Sequence, residues 1–528
     1  MKAKPWSLLM GLCCLGVILL WGGRAHAVFY LDADKTFDIS GQIQTRLTFR
    51  TQDSKGFTNF ELGFGNVKTH VPVGHLVQHR NLVYLEVNHD LKKIQWPWDF
   101  KIKYHILGRL YYDGIYDYGP HVFRKVGDTY NPVRDIDDFK WDVDLREYYV
   151  DISRGPLFLR IGRQNLSWGE ADVFRLLDNI NPLDNTFGFI FEDLNDRRIP
   201  LRMIRGSYNI GKVGPISSFA VEGFFAPGAF EHTVAPIPPP GTPYAPPVPR
   251  PGGIPIPGSI FDEFTEKPDR RWDNSRFGLR LQGVLFENVN LAIAGYRTYL
   301  DDLTPRLVVF QQFQPPAIPP ILGLELNRSE SKVWIFGGSL NYYEKHIDTV
   351  IRSEVAYLND VPVFIPRINT PDPDFSLGFP QFLTGEIPKR DEVRFVVGLD
   401  KDVWIRALNK KNTFLVSLQY FGQYIRDYDK DIKMAVPKFP NSTDFISIKR
   451  YEQTITALIN TKYMNGNLKP EFVVAYDPRG AVLLLPSIQY EWDPFRIKLQ
   501  YGAILGKFTG MGVFRDRDQV SLTLTWLF

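Results

Sequence analysis

Cysteine is almost absent from the 528 residues: Cys13 and Cys14 are the only two, and both fall in the opening segment. A disulfide scaffold is therefore excluded, and so is a Cys-x-x-Cys motif. Long apolar runs are missing after residue 27, where no stretch approaches the roughly 18 residues that a membrane-spanning helix needs. The 42 glycines and 39 prolines follow no triplet period, which removes collagen. No unit of constant length recurs, which argues against a propeller or other exported repeat fold. A Gly-x-Ser-x-Gly elbow and a phosphate loop are lacking too, so no nucleophile is assigned. What the chain does have is 44% hydrophobic and 14% aromatic residues, too apolar for disorder and enough for a large folded body.

Lys2 and Lys4 precede an apolar run from Trp6 to Trp21, and Ala25-His26-Ala27 has the small-x-small pattern cut by signal peptidase. Residues 1–27 are thus expected to be a signal peptide, with Ala25 and Ala27 marking the cleavage site. The run is short for a retained anchor, and Leu12 stands where a lipidated cysteine would require a small residue. The whole chain carries a formal charge of +3, and loss of Lys2, Lys4 and Arg24 leaves basic residues equal in number to the 59 acids. Neutrality argues against nucleic acid as a partner. The exported chain also carries no thiol into an oxidising compartment.

The remainder alternates. Phe37, Ile39, Ile43, Leu47 and Phe49 interleave with Asp38, Ser40, Gln42, Gln44, Arg46 and Thr48, so one strand face is apolar and the other polar. Residues 519–528 repeat the pattern, and eighteen such runs are counted. Sixteen is the alternative, because the runs near 201–210 and 217–226 are the least regular. Joints such as 153–156, 287–288, 344–346, 464–467 and 493–494 are short, whereas those near 51–79, 114–143, 167–200, 227–274, 301–330, 360–390 and 426–449 are long. The tight joint 478–480 breaks this order. Short turns on one rim and long loops on the other predict an all-β, transmembrane, antiparallel up-and-down barrel over residues 28–528. The sheet must close, since an open edge in lipid leaves backbone groups without partners. Trp96, Trp98, Phe286, Tyr342, Tyr343, Trp404, Tyr463, Trp492 and Phe495 lie near short turns and are expected to form an interfacial girdle.

The terminal Phe528, preceded by Trp526 and further apolar residues at every second position, is similar to the signal by which outer-membrane barrels are recognised and inserted. That likeness implies a Gram-negative outer membrane, with its lipid and the barrel-assembly machinery as partners. Internal segments carry a second likeness. Leu145-Arg146-Glu147-Tyr148-Tyr149-Val150-Asp151, Gly162-Arg163-Gln164, Trp168-Gly169-Glu170, Asn181-Pro182-Leu183-Asp184, Gly337-Gly338-Ser339-Leu340-Asn341-Tyr342 and Trp404-Ile405-Arg406-Ala407-Leu408-Asn409 together resemble a proteobacterial outer-membrane family described as a domain of unknown function. The resemblance implies a barrel and a role in moving hydrophobic compounds alongside periplasmic and inner-membrane export components. It implies no catalytic residues and no cofactor.

The long segment 167–200 mixes acids, arginines and apolar residues without strand alternation. Phe174, Leu176, Leu177 and Ile180 recur at helical spacing, with Phe191, Leu194 and Ile199 beyond them, so a helical insert folding into the lumen as a plug or constriction is expected. Arg160, Arg163, Glu170, Asp172, Asp178, Arg197 and Arg198 are expected to pair as a network there. Together with Gln164, Trp168, Asn181 and Asp184, these residues form the candidate substrate path. Eleven prolines in 236–257 bar that stretch from the barrel wall and place it in an outer loop, 227–274. With the apolar segment 313–322 on the same rim, it offers a hydrophobic entrance or exit. His70, His75 and His79 form the one histidine cluster, read as a solvated face rather than a metal site. The expected function is passage or export of hydrophobic or amphipathic small molecules without catalysis. A non-conducting surface protein acting through its loops and a general porin for hydrophilic solutes are the alternatives.

Overall fold

The computed structural model of the chain describes residues 28–53, 58–61, 65–68, 71–94, 97–124, 137–172, 174–236, 242–244, 260–302, 304–315, 318–438 and 442–528. The expected signal peptide and its Ala25 and Ala27 lie outside them.

Eighteen antiparallel strands follow one another around one closed sheet: β1 (Phe37–Arg50), β2 (Leu76–Asp90), β3 (Lys101–Asp113), β4 (Trp141–Arg154), β5 (Leu157–Gln164), β6 (Leu201–Val213), β7 (Ile216–Ala226), β8 (Arg276–Leu285), β9 (Val289–Tyr299), β10 (Lys332–Glu344), β11 (Thr349–Pro362), β12 (Lys389–Val403), β13 (Phe414–Ile425), β14 (Tyr451–Asn460), β15 (Leu468–Asp477), β16 (Ala481–Trp492), β17 (Phe495–Gly506) and β18 (Gln519–Leu527). Closure is made by β18 on β1, from Gln42 opposite Leu527 to Arg50 opposite Gln519. Both irregular runs are strands, β6 and β7, so the count is eighteen rather than sixteen. Their alternation is blurred because the register shifts between Ile216 and Ala220, where a bulge moves side chains out of phase.

The two strand faces meet different surroundings. Leu279, Ile293, Phe336, Val355, Val397, Leu499 and Leu522 are exposed on the outside. Their neighbours Arg280, Glu354, Gln500 and Ser521 point inward, and Glu354 and Ser521 are buried. An apolar outside around a polar inside is the reverse of a soluble sandwich and suits a bilayer. Trp98, Phe286, Tyr343, Trp404 and Trp492 are exposed at the short-turn rim; Trp96 lies outside the described residues. Phe528 lies on this rim too, its N–H donating to the Gly41 carbonyl at 3.0 Å.

The opposite rim carries the long loops. Ile260–Glu266 pairs in parallel with Ile321–Asn327, which pairs antiparallel with Thr304–Gln311. Thr58–Glu61 with Gly65–Lys68, and Lys433–Lys438 with Ser442–Ser447, form hairpins. The tight joint 478–480 is stabilised by Asp477, which accepts the Gly480 N–H on its carbonyl at 2.8 Å and the Arg479 guanidinium on its carboxylate at 2.8 Å.

Candidate functional site: an insert across the lumen

Residues 165–200, between β5 and β6, cross the interior of the barrel. They are not the helix expected from spacing: among the described residues, their helical structure is limited to single turns at Asn185–Phe187, Phe189–Phe191 and Leu194–Arg197. Local hydrogen bonds explain why. Asn181 accepts the Leu166 N–H at 2.8 Å and donates to the Ile199 carbonyl at 2.8 Å, and Asn179 donates to the Leu176 carbonyl at 2.6 Å. Such bonds compete with helix formation, and Pro182 removes a donor. The apolar residues also diverge. Leu177 and Ile180, with Leu166 and Trp168, join a buried cluster from β6, β7, β9, β10 and β11, whereas Phe174 and Leu176 reach Val396 of β12 and Phe421 of β13. A helix would confine them to one stripe.

Polar contacts fix this first arm to the wall. The Trp168 indole donates to Glu222 of β7 at 3.0 Å, and Glu222 also binds Arg205 of β6 and Arg280 of β8, each at 2.5 Å. Glu354 of β11 accepts the Glu170 and Leu177 backbone N–H groups. Arg352, also on β11, lies 2.6 Å from Asp172 and 2.6 Å from Asp400, while Gln419 donates to Asp172 at 2.9 Å. Asp178 holds Arg198, and Arg175 pairs with Asp301. A buried carboxylate with several donors escapes the cost of an unpaired charge.

The second arm is an Ω-loop. Its neck is a small ladder: Leu183 bridges Arg198, the Asp184 N–H donates to the Arg197 carbonyl at 2.7 Å, and the Ile199 N–H donates to the Pro182 carbonyl at 2.8 Å. Asp184 caps the first turn by accepting the Thr186 N–H at 2.9 Å. At the tip, Glu192 receives Arg46 of β1 at 2.5 Å and Arg80 of β2 at 2.8 Å. Gly188 takes φ 139°, and a Cβ there would lie 2.9 Å from the Glu192 carboxylate. Arg146 of β4 donates to the carbonyls of Asp196 at 3.0 Å and Arg198 at 2.6 Å. Between this arm and β1–β4 lies a cavity of about 580 Å³, lined among others by Gln42, Tyr84, Glu86, Leu107, Glu147 and Asn195.

The expected network is therefore divided. Arg160 pairs with Asp151 at 2.6 Å and Arg163 with Asp144, both across β4 and β5, so these two arginines brace the wall, and Arg163 also donates to the Pro200 carbonyl at the end of the insert at 3.2 Å. Gln164 is fully buried and donates to the Met203 carbonyl at 3.2 Å. Glu170, Asp172, Asp178, Asn181 and Asp184 belong to the insert as placed above. Sequence reasoning does not reach Glu192, Arg80, Glu222 and Arg146. Arg80, Glu222 and Arg146 lie on strands, and an inward charge opposite a long unpatterned insert is the signal that points to them.

The Pro-rich loop also departs from expectation. Residues 242–244 turn inward: Arg50 and Arg517 donate to the Pro243 carbonyl, the first at 3.2 Å, and Tyr244 is buried with Phe191, Val436, Leu483 and Ile504. Proline lacks an N–H and stays out of the sheet, but its carbonyl still accepts. Residues 237–241 and 245–259 lie outside the described residues. His79 sits in β2 with its Nε2 3.3 Å from the Thr45 hydroxyl and its ring edge-on to Tyr118; His70 lies outside the described residues.

The chain is similar to several solved barrels. Acinetobacter baumannii OccAB3 is 9% identical over 93% of this chain and 99% of its own, with a TM-score of 0.43. Pseudomonas aeruginosa OccK3 (OpdO) is 9% identical over 92% and 95%, at 0.42. The outer membrane channel DcaP of Acinetobacter baumannii is 8% identical over 93% and 97%, at 0.37. No curated protein matches. Residues 8–528, nearly the whole chain, match one family, and the chain belongs to it: the family described as "Protein of unknown function (DUF1302)".

Proposed function

We propose that the protein is a channel of the Gram-negative outer membrane, passing hydrophobic or amphipathic small molecules through a lumen narrowed by residues 165–200. The observation that carries this reading is the insert itself. It is tied to β1, β2, β4, β7, β9, β11, β12 and β13, and so reaches across the interior, yet leaves a cavity of about 580 Å³ beside it. A barrel of this strand number encloses more space than side chains alone fill. The short-turn rim faces the periplasm and the long loops face outward, as in bacterial barrels generally.

Apolar substrates are favoured by the outer loops. Phe310, Ile318, Phe375, Leu377 and Leu383 are exposed there, and the Phe313 and Phe379 rings lie 6.3 Å apart. Exposed apolar groups in such number mark a binding or entrance surface. Reconstitution in liposomes and planar bilayers tests the reading. Transfer of a fluorescent lipophile with small or no ion conductance is expected. Neither activity would identify a surface protein, and high open conductance without lipophile transfer would identify a hydrophilic porin.

A further inference from the structure

The tip of the Ω-loop presents two adjacent side chains of opposite character to two adjoining sites. The Glu192 carboxylate, whose side chain is only 6% exposed, is held by the buried guanidinium groups of Arg46 and Arg80. The Phe191 ring enters an apolar cleft with Tyr244, Leu483 and Ile504. The floor of that cleft is Gly502 of β17, where a Cβ would lie 2.5 Å from the ring. An acid head and an apolar body, side by side, are thus seated on the wall by a loop with a narrow ionic and hydrogen-bonded neck.

One wall acid stands close: Asp113 of β3 is directly opposite Arg80 and accepts the His79 and Ile115 backbone N–H groups at 2.9 and 3.2 Å. Within β1 and β2 the inward positions near Arg46 and Arg80 are Gln44, Thr48, Gln78 and Leu82, and those strands' own inward acids, Asp38, Glu86 and Asp90, lie towards the other rim. The carboxylate that pairs with both arginines comes from the loop. The Nε of Arg46 is buried without a hydrogen-bond partner among the described residues, so the site keeps a donor that Glu192 does not use. Two guanidinium groups around one acceptor match carboxylate geometry.

We propose that the Arg46–Arg80 pair and the adjoining Gly502 cleft form a binding site for an amphipathic carboxylate, and that Glu192 and Phe191 occupy it as internal surrogates which the ligand displaces. The ligand's carboxylate replaces that of Glu192, its apolar body replaces the Phe191 ring, and the loop turns about its neck at residues 182–184 and 197–199. No bond is made or broken. The inference rests on the channel reading for its purpose, but the site is tested without transport.

Decanoate is the probe, and decanol, with the same body and no charge, is the control. Binding to the full chain in neutral detergent is measured by titration calorimetry for the wild type, E192Q, R46Q and R80Q. Retention of the folded band on unheated gels shows which variants keep the barrel. E192Q removes the competing charge and is expected to tighten decanoate binding about tenfold while leaving decanol unchanged. R46Q and R80Q are expected to weaken decanoate at least tenfold; where either fails to fold, E192Q alone decides. Unchanged or weaker decanoate binding in E192Q, or decanol bound as tightly as decanoate by the wild type, would overturn the proposal. Decanoate binding of the expected pattern in a protein that conducts and transfers nothing would refute the channel reading and leave the site standing.

Discussion

The two arms of the insert share one lumen and are held in opposite ways. Residues 166–181 bury Leu166, Trp168, Leu177 and Ile180 in a continuous apolar cluster with five strands, and their charges close the edges of that cluster. Residues 184–198 touch the wall chiefly through Glu192, the Asp196 and Arg198 carbonyls that Arg146 binds, and the smaller apolar contact of Phe191 and Ile190. The first arm's larger apolar burial makes it the more costly of the two to detach. An ion pair can be exchanged for another ion of the same sign. On the proposed channel reading, the difference makes the first arm scaffold and the second the part that responds to what enters.

Three substitutions break or sharpen this contrast. The largest effect is expected from Trp168→Ala, which empties the apolar cluster and removes the indole donor from Glu222, costing about 3–5 kcal/mol. Urea unfolding in micelles followed by tryptophan-independent far-UV signal measures it; a loss below about 1 kcal/mol would show that the first arm is not anchored by this cluster. Gly502→Val places a branched side chain where the Phe191 ring sits and is expected to cost about 1–3 kcal/mol. Its sharper readout is limited proteolysis, with new cleavage confined to residues 184–197. Cleavage at 166–181 instead would invert the comparison. The smallest effect is expected from Asp184→Ala, which removes the cap on Thr186 and costs about 1 kcal/mol; hydrogen exchange should rise in the Ω-loop and stay unchanged around Leu177.

Strand alternation makes the barrel legible in the sequence, because a two-residue period is a direct consequence of one face meeting lipid and the other water. It blurs most at β6 and β7, where a bulge near Ser217 shifts the phase. The insert is legible as a lumen element through its length and its mixture of acids, arginines and apolar residues. Its conformation is not, since Phe174, Leu177 and Ile180 have helical spacing while Asn179 and Asn181 spend their side chains on the backbone in a way no periodicity records. The partners of Arg160 and Arg163 escape sequence reasoning for a related reason: a strand charge chooses between its sheet neighbour and the lumen by register, and Asp151 and Asp144 stand directly in reach. The inward turn at Pro243 is hidden because proline's missing N–H is visible in a sequence, whereas the arginines that seek its carbonyl come from β1 and the β17–β18 loop, far away along the chain.

Single-channel conductance in planar bilayers tests the central claim most directly, comparing the full chain with a variant in which residues 185–196 are replaced by a two-residue glycine link across the neck. If the Ω-loop narrows the lumen, the variant conducts with a clearly larger unit step than the wild type at the same salt and voltage. Equal steps in the two proteins, with the variant folded, would contradict it.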